Sequence, residues 1–223
     1  MDTRTKLLIG QENLDKIKNA KICVAGIGGV GGFVVENLIR TGVQNLCIID
    51  FDIIEKSNLN RQIIATNLNL GRYKVEVMKE RILSINPNVN LEVLAQKISQ
   101  DKMADFNFQK FDYVIDCIDN SNAKIALIVY CKENNINIIS ALGTGNRFGI
   151  PEYEVKDLFE TRDDNLARKL RKRLRKKHIG EMPCVCSKIL PDFTNKEIAS
   201  VMWQPCVCGC VLSSWVLNEI IKK

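Results

Sequence analysis

Along the chain, short apolar runs rich in β-branched residues alternate with segments whose apolar positions recur every three or four residues. The runs Lys21 to Ala25, Leu46 to Asp50, Val89 to Leu94, Tyr113 to Asp116 and Ile136 to Ser140 predict strands. Between them, Val30 to Arg40, Tyr73 to Ile85 and Asn122 to Lys132 carry helical periodicity. Strand and helix in strict alternation predict an α/β fold: a Rossmann-like, doubly wound, mostly parallel sheet with crossover helices. Strands buried on both faces read as unbroken apolar runs, as Ile22-Cys23-Val24-Ala25 and Leu46-Cys47-Ile48-Ile49 do, so Cys23 and Cys47 belong to the core. After Gly149 the pattern changes to a short strand at Tyr153 to Val155, a long basic helix, a cysteine-containing loop, and a closing strand and helix. We therefore expect one domain over 1–223, with a nucleotide-binding core at 1–140 and a C-terminal extension at 141–223. The apolar stretch Ile198 to Ile221 is interrupted by Gln204, Pro205, Asn218 and Glu219, which favours a strand and a buried helix over stable membrane insertion.

With 46% hydrophobic and 26% charged residues, a chain of 223 residues can bury a substantial core. Met1 to Ala20 is polar and lacks the apolar stretch and small-residue cleavage site of a secretory signal, so a cytoplasmic location is expected. In that reducing setting the nine cysteines are expected as free thiols. The single histidine, His178, cannot fill a triad or a His-rich metal site and is expected on the surface at the end of the basic helix.

Candidate chemistry starts at Gly26-Ile27-Gly28-Gly29-Val30-Gly31, between the first strand and the first crossover helix. There, glycines let backbone approach phosphate at a helix N-terminus. Asp50 ends the second strand, where a carboxylate can bond ribose hydroxyls. These features do not choose between NAD and ATP. Arg61 and Lys74 lean toward ATP, because attack on its α-phosphorus needs cations around a triphosphate, although each alone could be a solvated surface charge. Asp116-Cys117-Ile118-Asp119-Asn120 follows the Tyr113 strand, and Asp119 could hold magnesium on the triphosphate; a helix N-cap is the competing role, favoured for Asn120 and Ser121.

The segments GIGGVGG, IIDFD, SNLNRQ, GRYK, INP and DCIDN, in that order and spacing, resemble the adenylating domain of the ThiF, MoeB and ubiquitin-activating-enzyme superfamily over roughly Arg4 to Ser140. The resemblance implies that Gly26, Gly28, Gly29 and Gly31 cradle ATP and that Asp50 binds its ribose, assisted by Asp52. Asn58, Arg61 and Lys74 would contact the phosphates, Asn120 would belong to the nucleotide's ligands, and Asp119 would hold Mg²⁺. Arg4, ahead of Leu7-Leu8-Ile9-Gly10, would reach the partner protomer's site, which implies a homodimer.

Two Cys-x-x-Cys pairs hold zinc in the sulfur-carrier activators of that superfamily, whereas this chain has Cys184-x-Cys186 and Cys206-x-Cys208-x-Cys210. One intervening residue is tighter than usual zinc spacing, so zinc is not expected; Cys206, Cys208 and Cys210 read as small buried positions leading into the final helix. Cys186 could be a low-pKa thiolate handling sulfur, but receives no role.

Charge adds the last element. Arg168, Lys169, Arg171, Lys172, Arg173, Arg175, Lys176 and Lys177 are eight cations in ten residues, so the formal charge of +6 leaves −2 for the rest of the chain. Leu170 and Leu174 pin one helical face, and the opposite face has the footprint of a polyanion contact. Together with Gly143-Thr144-Gly145-Asn146-Arg147, Tyr153 to Leu158 and Cys186-Ser187-Lys188, this extension is similar to the tRNA threonylcarbamoyladenosine dehydratases. That resemblance implies adenylation of the threonyl carboxylate of the modified base and ring closure to the cyclic form. The partner would then be tRNA bearing threonylcarbamoyladenosine, with a sulfur-transfer protein as a possible accessory. The competing readings are activation of a small sulfur-carrier protein's C-terminus, and a nucleotide-sensing module without catalysis. Intact Arg61, Lys74 and Asp119 argue against the last.

Overall fold

The computed structural model describes residues 2–192, 194 and 197–223. A seven-stranded sheet runs in the order β3-β2-β1-β4-β5-β7-β6. Its strands are β1 (Lys21–Ala25), β2 (Asn45–Ile49), β3 (Asn90–Leu94), β4 (Tyr113–Asp116), β5 (Ile138–Ala141), β6 (Tyr153–Asp157) and β7 (Pro183–Ser187). Among the described residues β6 with β7 is the one antiparallel pair of strands in the sheet, so the sheet is mostly parallel, as the alternation of the sequence predicts. The helices are α1 (Thr3–Asn19), α2 (Gly29–Thr41), α3 (Lys74–Ile85), α4 (Ser121–Glu133), α5 (Asn165–Arg175) and α6 (Trp203–Lys222).

The sheet separates two apolar layers. Ile22, Val24, Ile48 and Ile115 face a core shared with α2, α3 and α6, while Cys23, Cys47, Val114 and Ile138 face one shared with α4 and α5. Cys23 and Cys47 are therefore core residues, as expected.

The C-terminal region departs from its expected form. The segment before α6 is not a strand; the last strand is β7, which contains Cys184 and Cys186, so these cysteines lie in the sheet and not in a loop. Its place between β5 and β6 supplies the pairing partners that the local sequence does not announce. Cys206, Cys208 and Cys210 lie inside α6, where only Cys208 is buried; Cys210 is exposed. Helical geometry turns alternate positions about 200° apart, so three cysteines at spacing two cannot share one buried face. Among the described residues α6 is the one helix long and apolar enough to cross a membrane, and it packs its apolar side on α2 and the sheet. At Gly209 a Cβ would lie 2.8 Å from the Val30 carbonyl oxygen, so glycine is what allows α2 and α6 this close.

The polar N-terminus forms α1, broken at Gly10, whose φ of 82° leaves the helical region. The basic segment starts earlier than its charges, at Asn165, and Lys176 and Lys177 fall in the turn beyond it. Leu170 and Leu174 are buried in the layer shared with α4, while His178, exposed and at φ 56°, closes the turn after the helix.

Candidate functional site

At the carboxyl ends of β1 and β4 the chain leaves the sheet in opposite directions, which opens a crevice where nucleotide-binding α/β sheets hold their ligands. The glycine turn fills one side. Gly26, at φ 90°, donates its N–H to the Ile49 carbonyl, and a Cβ there would lie 2.8 Å from the Cys117 carbonyl oxygen. A Cβ on Gly31 would lie 1.8 Å from the Gly26 carbonyl oxygen, so α2 can start here only with glycine at that position. At Gly28 the nearest atom would be 3.8 Å away, leaving the α2 N-terminus open for a phosphate.

Asp50 bridges the two sides of this turn. Its Oδ2 accepts the Ile27 N–H at 2.6 Å and its Oδ1 accepts the Asp52 N–H at 2.8 Å. Burial pushes its carboxyl above the usual value, against the opposing pull of the Asp52 hydrogen bond and the Lys74 charge. Lys74 is 5% exposed and its Nζ lies 2.8 Å from Asp52 Oδ2, so a buried cation stands at the start of α3 with one carboxylate partner. The structure thus brings Gly26, Gly28, Asp50, Asp52 and Lys74 together.

The SNLNRQ segment runs along the rim. Asn58 is buried with its amide oxygen on the Glu55 N–H, while Arg61 bends back onto the Ser57 carbonyl and the Asn60 side chain. Gln62, in the same segment, has no role assigned from the sequence. It is 7% exposed, its Nε2 is the atom nearest to a Cβ placed on Gly28, and its Oε1 is a buried oxygen with no hydrogen-bond partner among the described residues. A buried orphan oxygen costs about 1–3 kcal/mol, a cost that a bound ligand can relieve. Its signal was its place beside Arg61, since a polar residue next to a site cation is itself a candidate.

Asp119 lies on the loop after β4, tied to the glycine turn by the Cys117 N–H on the Ala25 carbonyl at 2.8 Å. Its carboxylate is exposed and forms no salt bridge among the described residues. Asn120, expected among the cofactor ligands, has its side-chain oxygen committed to the N–H groups of Asn122 and Ala123, the cap of α4. The cap role weighed at that position is the one the geometry carries, because a helix N-terminus leaves unpaired N–H donors.

Beneath this loop lies a buried ion pair missed in the sequence. Lys124 Nζ and Asp116 Oδ2 are 2.7 Å apart with both side chains fully buried. The Ser140 hydroxyl donates to Asp116 Oδ2 at 2.6 Å and the Ile118 N–H to Oδ1 at 3.0 Å. The pair fixes the loop that carries Asp119. Lys124 reads in sequence as one more solvated helix lysine.

The basic helix docks at this same rim. Its Arg173 donates to the side-chain oxygen of Asn122, two residues beyond Asn120. Asp164 caps α5 through the Ala167 N–H at 2.8 Å, and its other oxygen takes the Gly143 N–H and Arg147. Arg168, Lys169, Lys172, Arg173, Arg175, Lys176 and Lys177 are exposed, and Arg171 is half-buried on the Thr161 hydroxyl. Arg4 is not part of this site in its own chain. It is exposed on α1 beside a cavity of about 520 Å³ lined by Leu8, Asn37, Thr41, Cys210 and Leu217.

Burial raises the thiol pKa of Cys117, Cys184, Cys186 and Cys208, and that of Cys206 to about 11, so none of these is an activated thiolate. Among the described residues no group of three or more His, Cys, Asp or Glu side chains is placed to hold a metal ion.

A glycine turn at the switch point of a doubly wound sheet, with the buried Asp50 carboxylate and the buried Lys74 cation beside it, defines an α/β protein of the nucleotide-binding type. The ThiF family model matches residues 3–149, and the chain belongs to the ThiF family. It is 36% identical to a tRNA threonylcarbamoyladenosine dehydratase of Bacillus subtilis, over 99% of this chain and 94% of the relative. It is 42% identical to enzymes of that name from Haemophilus influenzae and Escherichia coli, where the match covers 74% and 77% of this chain but 63% and 64% of the relatives. The matched region thus spans a little under two thirds of those two proteins. The crystal structure of the E. coli tRNA N6-threonylcarbamoyladenosine dehydratase with ATP superposes with a TM-score of 0.94 at 34% identity, covering 99% of this chain and 93% of that one. The complex of that enzyme with AMP gives 0.93 at 35% identity, covering 98% and 93%.

Proposed function

We propose that this protein is an ATP-dependent tRNA-modifying enzyme that adenylates the threonyl carboxylate of threonylcarbamoyladenosine in tRNA and promotes its dehydration to the cyclic form. The observation that carries the reading is the docking of a strongly basic helix, through Arg173 on Asn122, at the rim of the nucleotide crevice beside Asp119. ATP suits the crevice because the α2 N-terminus is open over Gly28 and Gln62 carries an orphan oxygen beneath it.

In this reading Asp50 takes the ribose, Gly28 and Gly29 take phosphate on backbone N–H groups, and Lys74 and Arg61 offset the charge that develops as pyrophosphate leaves. Asp119, exposed and in no salt bridge among the described residues, would hold Mg²⁺ against the triphosphate. A carboxylate oxygen attacks the α-phosphorus and pyrophosphate departs. A nitrogen of the same side chain then attacks the activated carbonyl, loses its proton and expels AMP, so the base loses one water overall. No protein nucleophile is needed, which agrees with the raised cysteine pKa values.

Leu7 and Leu8, 81% and 85% exposed on the α1 turn next to Arg4, support a homodimer in which Arg4 serves the partner's site. Mixing Arg4→Ala with Lys74→Ala protomers should restore part of the activity that each variant lacks; no recovery would place Arg4 outside the partner's site.

The reaction is tested by incubating protein, ATP and threonylcarbamoyladenosine-bearing tRNA and weighing the nucleoside. Loss of one water is expected. AMP release triggered by a small carrier protein, with tRNA mass unchanged, would transfer the assignment to sulfur-carrier activation. Arg171, Arg173 and Arg175 changed together to Glu should abolish turnover of tRNA and leave ATP binding intact; unchanged turnover would remove the basic helix from the RNA interface.

A further inference from the structure

Loop 143–150 and the start of α6 form an exposed aromatic surface that the nucleotide site does not use. Phe148 is 78% exposed and Trp203 41%, and their rings meet edge to face with centroids 5.3 Å apart. Ile150 and Met202 extend the patch, at 85% and 45% exposure. Large apolar side chains this open, and clustered, mark a contact surface.

The patch is held in place. Trp203 Nε1 and Gln204 Nε2 both donate to the Gly149 carbonyl, at 3.0 and 3.2 Å, and Gln204 Oε1 accepts from the Tyr153 hydroxyl at 3.0 Å. Asn146 Oδ1 accepts the Ala199 N–H at 2.7 Å and the Asn146 N–H bonds the Ala199 carbonyl, so the loop and the entry to α6 move as one body. Phe148 and Trp203 are therefore preorganised, and the indole N–H is already satisfied, which leaves ring faces as what the patch offers a ligand.

Its position identifies the ligand. Two residues past Trp203, Pro205 packs against Gly29 of the nucleotide turn, where a Cβ would lie 3.2 Å from the Pro205 Cβ. Asn60, next to Arg61, donates to the Ser200 carbonyl at 2.9 Å. On the other side, Arg147 precedes Phe148 directly and bonds Asp164, the cap of the basic helix. Open aromatic faces thus stand between a phosphate-binding turn and a cationic helix. That combination of stacking surface and backbone cations is how proteins hold unpaired nucleotides, since every base has a π-face.

We infer that Phe148 and Trp203 form a stacking platform for an unpaired base of the substrate RNA, adjacent to the nucleotide whose carboxylate is activated. The inference rests on the RNA substrate proposed above and adds the residues that position it. The platform holds a neighbouring base, so the reacting side chain reaches the α-phosphorus while the basic helix follows the RNA backbone.

The test uses the full-length protein, substrate tRNA and an anticodon stem-loop RNA. Trp203→Ala should raise KM for tRNA about ten-fold, the order expected for losing one stacked base, and leave the ATP dissociation constant unchanged. Trp203→Phe should retain most of the affinity. The stem-loop should quench tryptophan fluorescence in the wild type and fail to do so in Trp203→Phe, which retains Trp215. If Trp203→Ala perturbs folding, Phe148→Ala and the wild-type quench decide the matter.

Normal tRNA turnover with unchanged KM in both alanine variants and no quench overturns the platform while the dehydratase reading stands. Quenching by the stem-loop without any dehydration of tRNA supports the platform and overturns that reading. Weakened ATP binding in Trp203→Ala, or a change in oligomeric state with KM for tRNA intact, also overturns the platform, assigning Trp203 to α6 packing or to a contact between copies.

Discussion

Replacing Lys124 with Met tests whether the buried pair under the Asp119 loop determines nucleotide binding. The change keeps the length of the side chain and removes its charge, leaving Asp116 fully buried with only the Ser140 hydroxyl and the Ile118 N–H as donors. Removing one member of a buried ion pair costs about 3–5 kcal/mol, because the remaining charge keeps its desolvation penalty. For a chain of this size 1 kcal/mol shifts Tm by about 2–4 °C, so the variant should melt about 6–20 °C lower. The site should weaken as well, since Asp116 orients the Ile118 N–H one residue before Asp119. Adding Asp116→Asn removes the stranded charge, and the double variant should recover at least about 2 kcal/mol of the loss. Urea denaturation of the wild type, both single variants and the double variant closes the cycle, with ATP affinity measured in parallel. Additivity within about 0.5 kcal/mol would refute the pairing as the source of the effect.

Three more outcomes follow from the same geometry. Gly31→Ala forces a Cβ to within 1.8 Å of the Gly26 carbonyl oxygen and should lower both stability, by about 1–3 kcal/mol, and ATP affinity. Gly28→Ala meets nothing nearer than 3.8 Å, so thermal melting should be unchanged while ATP titration shows weakened binding; a matching drop in Tm would contradict the assignment of open space to phosphate. Glu36 links α2 to α3: burial pushes its carboxyl up, but hydrogen bonds from Arg81 and Arg40 outweigh this and hold it below the ordinary 4.5. A carboxyl lowered in the folded state stabilises above its unfolded value, and that stabilisation is lost as pH falls through the folded one. Glu36→Gln should therefore flatten the decline of Tm below about pH 4.5, and a curve parallel to the wild type's would remove Glu36 from the account.

Much of this protein is written locally. Five parallel strands and the three crossover helices between them are legible from hydrophobic period, because strands buried on both faces must be continuously apolar and helices one-sided. The glycine turn is legible because the tight passage from β1 into α2 needs glycine at particular spacings, and the structure sets Asp50 and Lys74 beside it. What the sequence could not decide depends on neighbours far along the chain. Cys184 and Cys186 became a strand because β5 and β6 offered edges to pair with, and the α6 cysteines were distributed around a helix whose extent local composition did not reveal. Lys124 is buried because Asp116 at the end of β4, bonded to Ser140 of β5, pairs with it, and Gln62 is an orphan only where it lies against the glycine turn. Burial of a polar group is a property of the assembled fold. The sequence determined a glycine turn between the first strand and the first crossover helix, because only glycine fits that backbone; the tertiary structure alone decided that a basic helix and an exposed aromatic pair, both more than a hundred residues later, stand at the rim of the same crevice.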